Sequence, residues 1–181
     1  MRIIAGKYKN SVILAPEGND TRPSKDMLKE AMFSSIGFFR GDESILDLFG
    51  GSGAIGLEAL SRGAKKAIIN DISKNAYNII KTNVNKLKAD AQIYNLDYVD
   101  LLNKLDEKFD IIFLDPPYIF NEYEKLMRLI NDNNLLKDDG IIIWEVEKNT
   151  KMNDKYEDYT LYITKKYGIS LLNYYKGECD E

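Results

Sequence analysis

Two segments of this 181-residue sequence put ligand-holding residues at a spacing that could do chemistry. The first is Asp115-Pro116-Pro117-Tyr118, directly after the apolar run Phe109-Asp110-Ile111-Ile112-Phe113-Leu114. Two successive prolines stiffen the loop, because each ring fixes its own φ and restricts the residue before it. A nucleobase amine is a poor nucleophile, since its lone pair is delocalised into the ring. An enzyme acting on one must hold both N–H bonds with fixed acceptors and aim the lone pair at an electrophile. Asp115 and the Pro116 carbonyl can supply those acceptors, and Tyr118 can stack on a base removed from its helix. The bland alternative is a strand-ending loop with an exposed tyrosine.

The second segment is Asp47-Leu48-Phe49-Gly50-Gly51-Ser52-Gly53-Ala54-Ile55-Gly56. Clustered glycines after an apolar run let the backbone turn tightly and approach a ligand closely, which implies a nucleotide-like cofactor. Residues Gly51 to Gly56 formally match a dinucleotide fingerprint, although that pattern also occurs in simple tight turns. Asp71, 18 residues beyond Gly53, suits two roles: acceptor for ribose hydroxyls, or an acidic charge at a helix N-terminus.

What the sequence lacks narrows the chemistry further. With no histidine, triads, imidazole proton shuttles and His-ligated metal sites are excluded. The single cysteine, Cys179, lies in Glu178-Cys179-Asp180-Glu181, where carboxylates keep a thiol protonated. Intramolecular disulfides and cysteine nucleophiles are therefore out, and with them cytosine-C5 chemistry. No run of 18 apolar residues exists and the opening is too short in apolar residues for a signal peptide, so an intracellular, cytoplasmic protein without a membrane partner is expected. A net charge of −4 argues against a surface that wraps nucleic acid by charge alone. The charge is uneven, however: residues 1–40 carry seven basic and four acidic side chains, and residues 41–181 carry 18 and 25.

The elements that must position these residues alternate in type. Ile45–Leu48, Ala67–Asn70, Gln92–Tyr94, Phe109–Leu114 and Gly140–Trp144 read as strands. Helices fall between them, ending near Arg62 and over about 74–86, 99–105 and 123–130. Continuous β-branched runs suit strands buried on both faces, and the alternation predicts an α/β, mostly parallel sheet with right-handed crossovers. Residues 159–166 and 169–175 alternate with period two around Tyr167-Gly168, an antiparallel hairpin closing one edge. At the other terminus, Ile3-Ile4 and Val12-Ile13-Leu14 flank a basic, aromatic tip holding Lys7, Tyr8 and Lys9. A helix capped by Ser24 and stopped by Gly37 follows. The division expected is a hairpin-plus-helix extension over 1–40 and a catalytic domain over 41–181.

Asp47 to Gly53 together with Asp115 to Tyr118 resembles the S-adenosylmethionine-dependent amino-methyltransferases. The opening Met1-Arg2-Ile3-Ile4-Ala5-Gly6-Lys7-Tyr8-Lys9 narrows the resemblance, with Thr21-Arg22-Pro23-Ser24, Lys29-Glu30-Ala31-Met32-Phe33, Tyr167-Gly168 and Asn173-Tyr174-Tyr175. These resemble the bacterial 16S rRNA guanine-N2 methyltransferase family over essentially the whole chain. The resemblance implies a Rossmann-like methyltransferase fold with S-adenosylmethionine as cofactor. It assigns Asp47, Gly51 and Gly53 to the methionine end, Asp71 to the ribose and Asp97 to the adenine amine; Asp97 also suits a helix N-cap. Asp115, Pro116 and Tyr118 become the catalytic set, and Arg22, Lys7, Tyr8 and Lys9 the RNA contacts. Ser24, Met27 and Lys29 depart from the family, which usually has threonine after Arg-Pro and arginines in the following helix. The implied substrate is 16S rRNA, naked or within a partly assembled small ribosomal subunit, taken by a monomer that needs no metal.

Three other readings remain at this level. Adenine-N6 modification of DNA or RNA, or protein glutamine modification, uses the same Pro-Pro-Tyr core. A nicotinamide-dependent oxidoreductase uses the fingerprint but leaves Asp115–Tyr118 unexplained. An idle RNA-binding factor would show a broken methyl-transfer motif, and none is broken here.

Overall fold

The computed structural model describes residues 1–17 and 23–177. Arg22 and Cys179 therefore lie outside the described residues. Strand β1 (Ser44–Asp47) is buried along its whole length and pairs in parallel with β2 (Lys66–Asn70) on one side and β4 (Phe109–Leu114) on the other. β3 (Ala91–Tyr94) extends the sheet beyond β2, and β5 (Leu136–Glu147) beyond β4, both parallel. The hairpin of β7 (Tyr159–Tyr167) and β8 (Ser170–Gly177) turns at Gly168, with β8 antiparallel to β5. Among the described residues the strand order is β3-β2-β1-β4-β5-β8-β7-β6, so a two-residue strand β6 (Lys155–Tyr156) forms the outer edge beyond the hairpin. The sequence reading missed β6, which is too short to carry a period.

Successive strand residues point to opposite faces, and the core divides accordingly. Leu46, Ile112, Leu114 and Trp144 pack under α4 (Tyr98–Lys104) and α5 (Tyr123–Asp132), against Leu101, Leu102, Leu126 and Met127. Ile45, Ile111, Phe113 and Ile143 pack on the other face with α1 (Pro23–Ile36), α2 (Ala54–Ser61) and α3 (Lys74–Leu87). Asp47 follows Ile45 by two, Asp115 follows Phe113 by two and Glu145 follows Ile143 by two. The pleat thus directs all three carboxylates toward the α1–α3 face.

Two expectations are corrected in detail. α1 begins at Pro23, which suits a helix's first position because it lacks an N–H, so Ser24 lies within the first turn and not ahead of it. β5 begins at Leu136, earlier than Gly140, with a register shift opposite Phe109–Ile111. Gly140 permits this: a Cβ there would stand 2.8 Å from the Leu136 side chain and the Lys137 carbonyl.

The expected N-terminal hairpin forms around an antiparallel bridge of Arg2 with Val12, and its tip docks on the domain. Within it Ile3 N–H donates to the Ser11 carbonyl (3.0 Å), Asn10 N–H to the Ile3 carbonyl (2.9 Å) and Ile13 N–H to the Met1 carbonyl (3.0 Å). Lys7 and Tyr8 donate their backbone N–H groups to the Ser61 carbonyl (2.7 Å) and hydroxyl (2.8 Å) at the end of α2. Gly6, at φ +81°, presses so close that a Cβ would lie 1.8 Å from the Ser61 carbonyl oxygen. Ile3 and Ile13 are buried in the same core as Leu57 and Phe33.

Candidate active site

The site lies at the carboxyl ends of β1, β2, β4 and β5. There the strand order reverses between β1 and β4, which opens a crevice in folds of this kind. β1 runs into a turn in which Gly51 and Gly53 take φ +56° and +78°. An L side chain is strained there, and Gly53 itself caps α2 in that left-handed state. Gly56 serves packing instead, since a Cβ would stand 2.5 Å from the Ile69 side chain.

Asp47 is 1% exposed and accepts a hydrogen bond from the Gly56 N–H at 3.2 Å. Burial pushes its pKa up to about 7; the Gly56 N–H opposes that shift and Asp71 adds to it. Asp71, at the end of β2, holds the turn and the next helix together. Its Oδ2 accepts from Gly51 N–H at 2.9 Å, and its Oδ1 from Ser73 N–H at 2.8 Å. Asp71 thus lines the crevice and also organises the start of α3.

Asp115 retains some surface toward the crevice yet lies deep in the protein. Burial first, then repulsion from Glu145 and Asp47, raises its pKa well above the usual carboxylate range, while Lys25 pulls it down. The loop after it is pinned at its far end. Phe120 N–H donates to the Pro117 carbonyl at 2.8 Å, and the Phe120 ring packs edge-on against Phe49, Tyr98 and Tyr123. Tyr118, between these anchors, is 82% exposed.

Two cavities meet at this loop. One of about 460 Å³ is walled by Asp47, Gly51, Asp71, Asp115, Pro116 and Tyr118, among others. The second, of about 730 Å³, shares Asp115, Pro116, Tyr118, Lys25 and Glu145 with the first and extends to Lys166, Tyr167 and Ile169. Asp47, Gly51, Asp71, Asp115, Pro116 and Tyr118 are thereby brought together. Gly53 stands just behind, at the start of α2, with its Cβ position against Ile80.

Asp97 is not among the residues on either cavity wall: it caps α4, its Oδ1 accepting from Val99 N–H at 2.8 Å. Lys7, Tyr8 and Lys9 lie on the docked N-terminal tip, outside both cavities. There Lys7 and Lys9 are exposed, and the Lys7 ammonium sits 5.3 Å from the Tyr8 ring centre.

The sequence reading missed Glu145 and Lys25. Glu145 carries a signal, being an acidic residue at the end of the apolar run Ile141–Trp144 in the manner of Asp115 after Leu114. Lys25 carries none, since only the packing of α1 brings it to the crevice. Together these groups fit S-adenosylmethionine on the structure's own terms. The cavity has a glycine turn on one wall and a Gly51 Cβ position meeting nothing within 4 Å, so there is room against the backbone. Asp47, Asp71 and Asp115 give it a surplus of carboxylates that a sulfonium and an ammonium would offset.

A sheet of this order, with a glycine turn after β1 and an Asp-Pro-Pro-Tyr loop after β4, defines the class as S-adenosylmethionine-dependent methyltransferases. A family model described as conserved hypothetical protein 95 matches residues 1–176. Ribosomal RNA small subunit methyltransferase D of Haemophilus influenzae is 34% identical over 182 residues, covering 98% of this chain and 94% of its own length. The protein of the same name from Escherichia coli K12 is 32% identical over 148 residues, covering 81% and 75%. A solved Escherichia coli structure superposes with a TM-score of 0.87 at 30% identity over 99% of both chains. The chain belongs to this family. The resemblance read from the motifs and the Rossmann-like fold expected from it are both borne out, and the nicotinamide alternative loses its footing.

Proposed function

We propose that the protein transfers the methyl group of S-adenosylmethionine to the exocyclic N2 amine of a guanine in small-subunit ribosomal RNA. The observation that carries this reading is the Asp115–Tyr118 loop, which forms the shared wall of a cofactor-sized cavity and a second cavity open to a base. The names of the relatives support ribosomal RNA as the substrate, and the carboxylates support an amine as the target.

Bound S-adenosylmethionine supplies an electrophilic methyl group on a sulfonium. The chain's own part is positional, as expected for an in-line displacement that passes through no covalent enzyme intermediate. Tyr118 offers its exposed ring as a platform for a base extruded from the RNA. Asp115 and the Pro116 carbonyl accept the two amine N–H bonds, which turns the nitrogen lone pair toward the first cavity. As the N–C bond forms the amine nitrogen becomes acidic, and Asp115 accepts the proton it loses. The raised pKa of Asp115 suits that transfer.

Lys7, Tyr8 and Lys9 extend the contact to RNA phosphate and sugar, with Arg22 continuing the same basic segment. A chain of net charge −4 gains little from phosphate attraction, so a partly assembled small subunit in the cytoplasm, with ribosomal proteins completing the surface, is the preferred substrate. The test is in vitro. Small-subunit particles from cells lacking the enzyme are incubated with the protein and methyl-labelled S-adenosylmethionine, and the labelled nucleoside is identified by mass. N2-methylguanosine is expected; N6-methyladenosine or label in protein overturns the reading.

A further inference from the structure

Base selection is left unexplained by Asp115 alone, since a carboxylate beside an amine accepts from guanine, adenine and cytosine alike. Glu145 stands next to it. β4 and β5 pair in parallel with Leu114 opposite Trp144, and the next residue on each strand is Asp115 and Glu145. Neighbouring strands run about 4.8 Å apart, so two carboxylates leave adjacent strand ends on the same face. Both line the cofactor cavity and the base cavity. The Ser170 hydroxyl donates to Glu145 Oε1 at 3.2 Å, which fixes the side chain from β8. Lys25 is the cation that offsets the pair.

We infer that Glu145 accepts the N1–H of the target base, so that Asp115 and Glu145 together read the paired N1–H and N2–H donors of guanine. This rests on the guanine reading above. Guanine is the base that places a ring N–H directly beside its exocyclic amine. Adenine and cytosine carry a ring acceptor there, which would set a lone pair against the Glu145 carboxylate. Two donors from one base also compensate two crowded carboxylates beside Lys25. Asp115 is thus the group that holds any amine, and Glu145 is the group that selects the base.

The test uses 2-aminopurine, which keeps the C2 amine but has an acceptor at N1. Wild-type protein and Glu145→Gln are assayed on reconstituted small-subunit particles carrying guanine or 2-aminopurine at the modified position. A glutamine can turn its amide N–H toward a ring acceptor, which a carboxylate cannot do. The wild-type protein is expected to prefer guanine by about 100-fold or more in kcat/KM, the scale of a mispaired buried polar contact. Glu145→Gln is expected to lose about 10- to 100-fold on guanine and hold or gain on 2-aminopurine, so that the preference shrinks to about tenfold or less. Equal losses on both substrates would mark a merely structural residue and overturn the inference, as would an unchanged preference. If the wild-type protein makes no N2-methylguanosine at all, the proposed function fails first, and the two failures are told apart.

Discussion

Glu58 offers the sharpest test of how the N-terminal segment is seated. Its side chain is fully buried in α2 and accepts from Ile4 N–H at 2.9 Å, Ala5 N–H at 3.0 Å and Arg62 Nε at 2.8 Å. The Lys29 ammonium, on a side chain only 3% exposed, lies 3.3 Å away. Glu58→Ala leaves two inward-facing N–H groups without their acceptor and a buried cation without its main counter-charge. Removing one member of a buried ion pair costs about 3–5 kcal/mol. At about 2–4 °C per kcal/mol for a chain of this size, the thermal midpoint should fall by roughly 6–20 °C. Calorimetry measures this directly, and protease cleavage near residues 4–8 should appear below the midpoint. The double variant Glu58→Leu/Lys29→Met should recover much of the loss, since the unpaired charge is gone. A fall of less than about 3 °C in the single variant would refute the claim that Glu58 clamps the segment to the domain.

Other expectations concern the site itself. Asp115→Ala should lower the single-turnover rate by roughly two to four orders of magnitude while cofactor affinity changes far less. Tyr118→Ala should weaken base capture by about 1–3 kcal/mol, and Tyr118→Phe should be nearly silent because the ring provides the platform. Gly51→Ala strains a position at φ +56° and should cost about 1–2 kcal/mol of stability. Its new methyl group enters the cofactor cavity, so affinity measured by calorimetry should drop tenfold or more, about 1.4 kcal/mol. Asp47, with a pKa near 3.8 unfolded and about 7 folded, binds its proton more tightly in the folded state. Its contribution is therefore most favourable below about pH 4 and is lost between about pH 4 and 7, by up to about 4 kcal/mol. Asp47→Asn should remove that difference between denaturant titrations at pH 5 and pH 8.

The parallel part of the sheet was legible because its strands are buried on both faces and read as unbroken apolar runs, Phe109–Leu114 most clearly. Asp47, Asp71 and Asp115 were legible for a related reason: each ends such a run or follows it, where the sheet delivers side chains to the crevice. Glu145 obeys the same rule and could have been found by it. Lys25 and Glu58 could not, because their roles arise where α1 and the N-terminal segment dock, through contacts between residues far apart in the chain, such as Ile4 with Glu58, 54 residues on. The hairpin at Lys7–Lys9 was legible from its apolar flanks and polar tip, but its docking on Ser61 was not. Asp97 shows the limit of residue type alone, as the carboxylate that suits an adenine amine equally suits a helix cap.

Methylation of guanine N2 in small-subunit ribosomal RNA can be read out in cells. Small-subunit ribosomal RNA from a strain lacking the protein, and from the same strain supplied with the wild type or Asp115→Ala, is digested and mapped by mass. One guanine is expected to carry an N2-methyl group with the wild-type protein and to be bare in the other two. An unchanged methylation map across all three strains, or a lost mark on any base other than guanine, would contradict it.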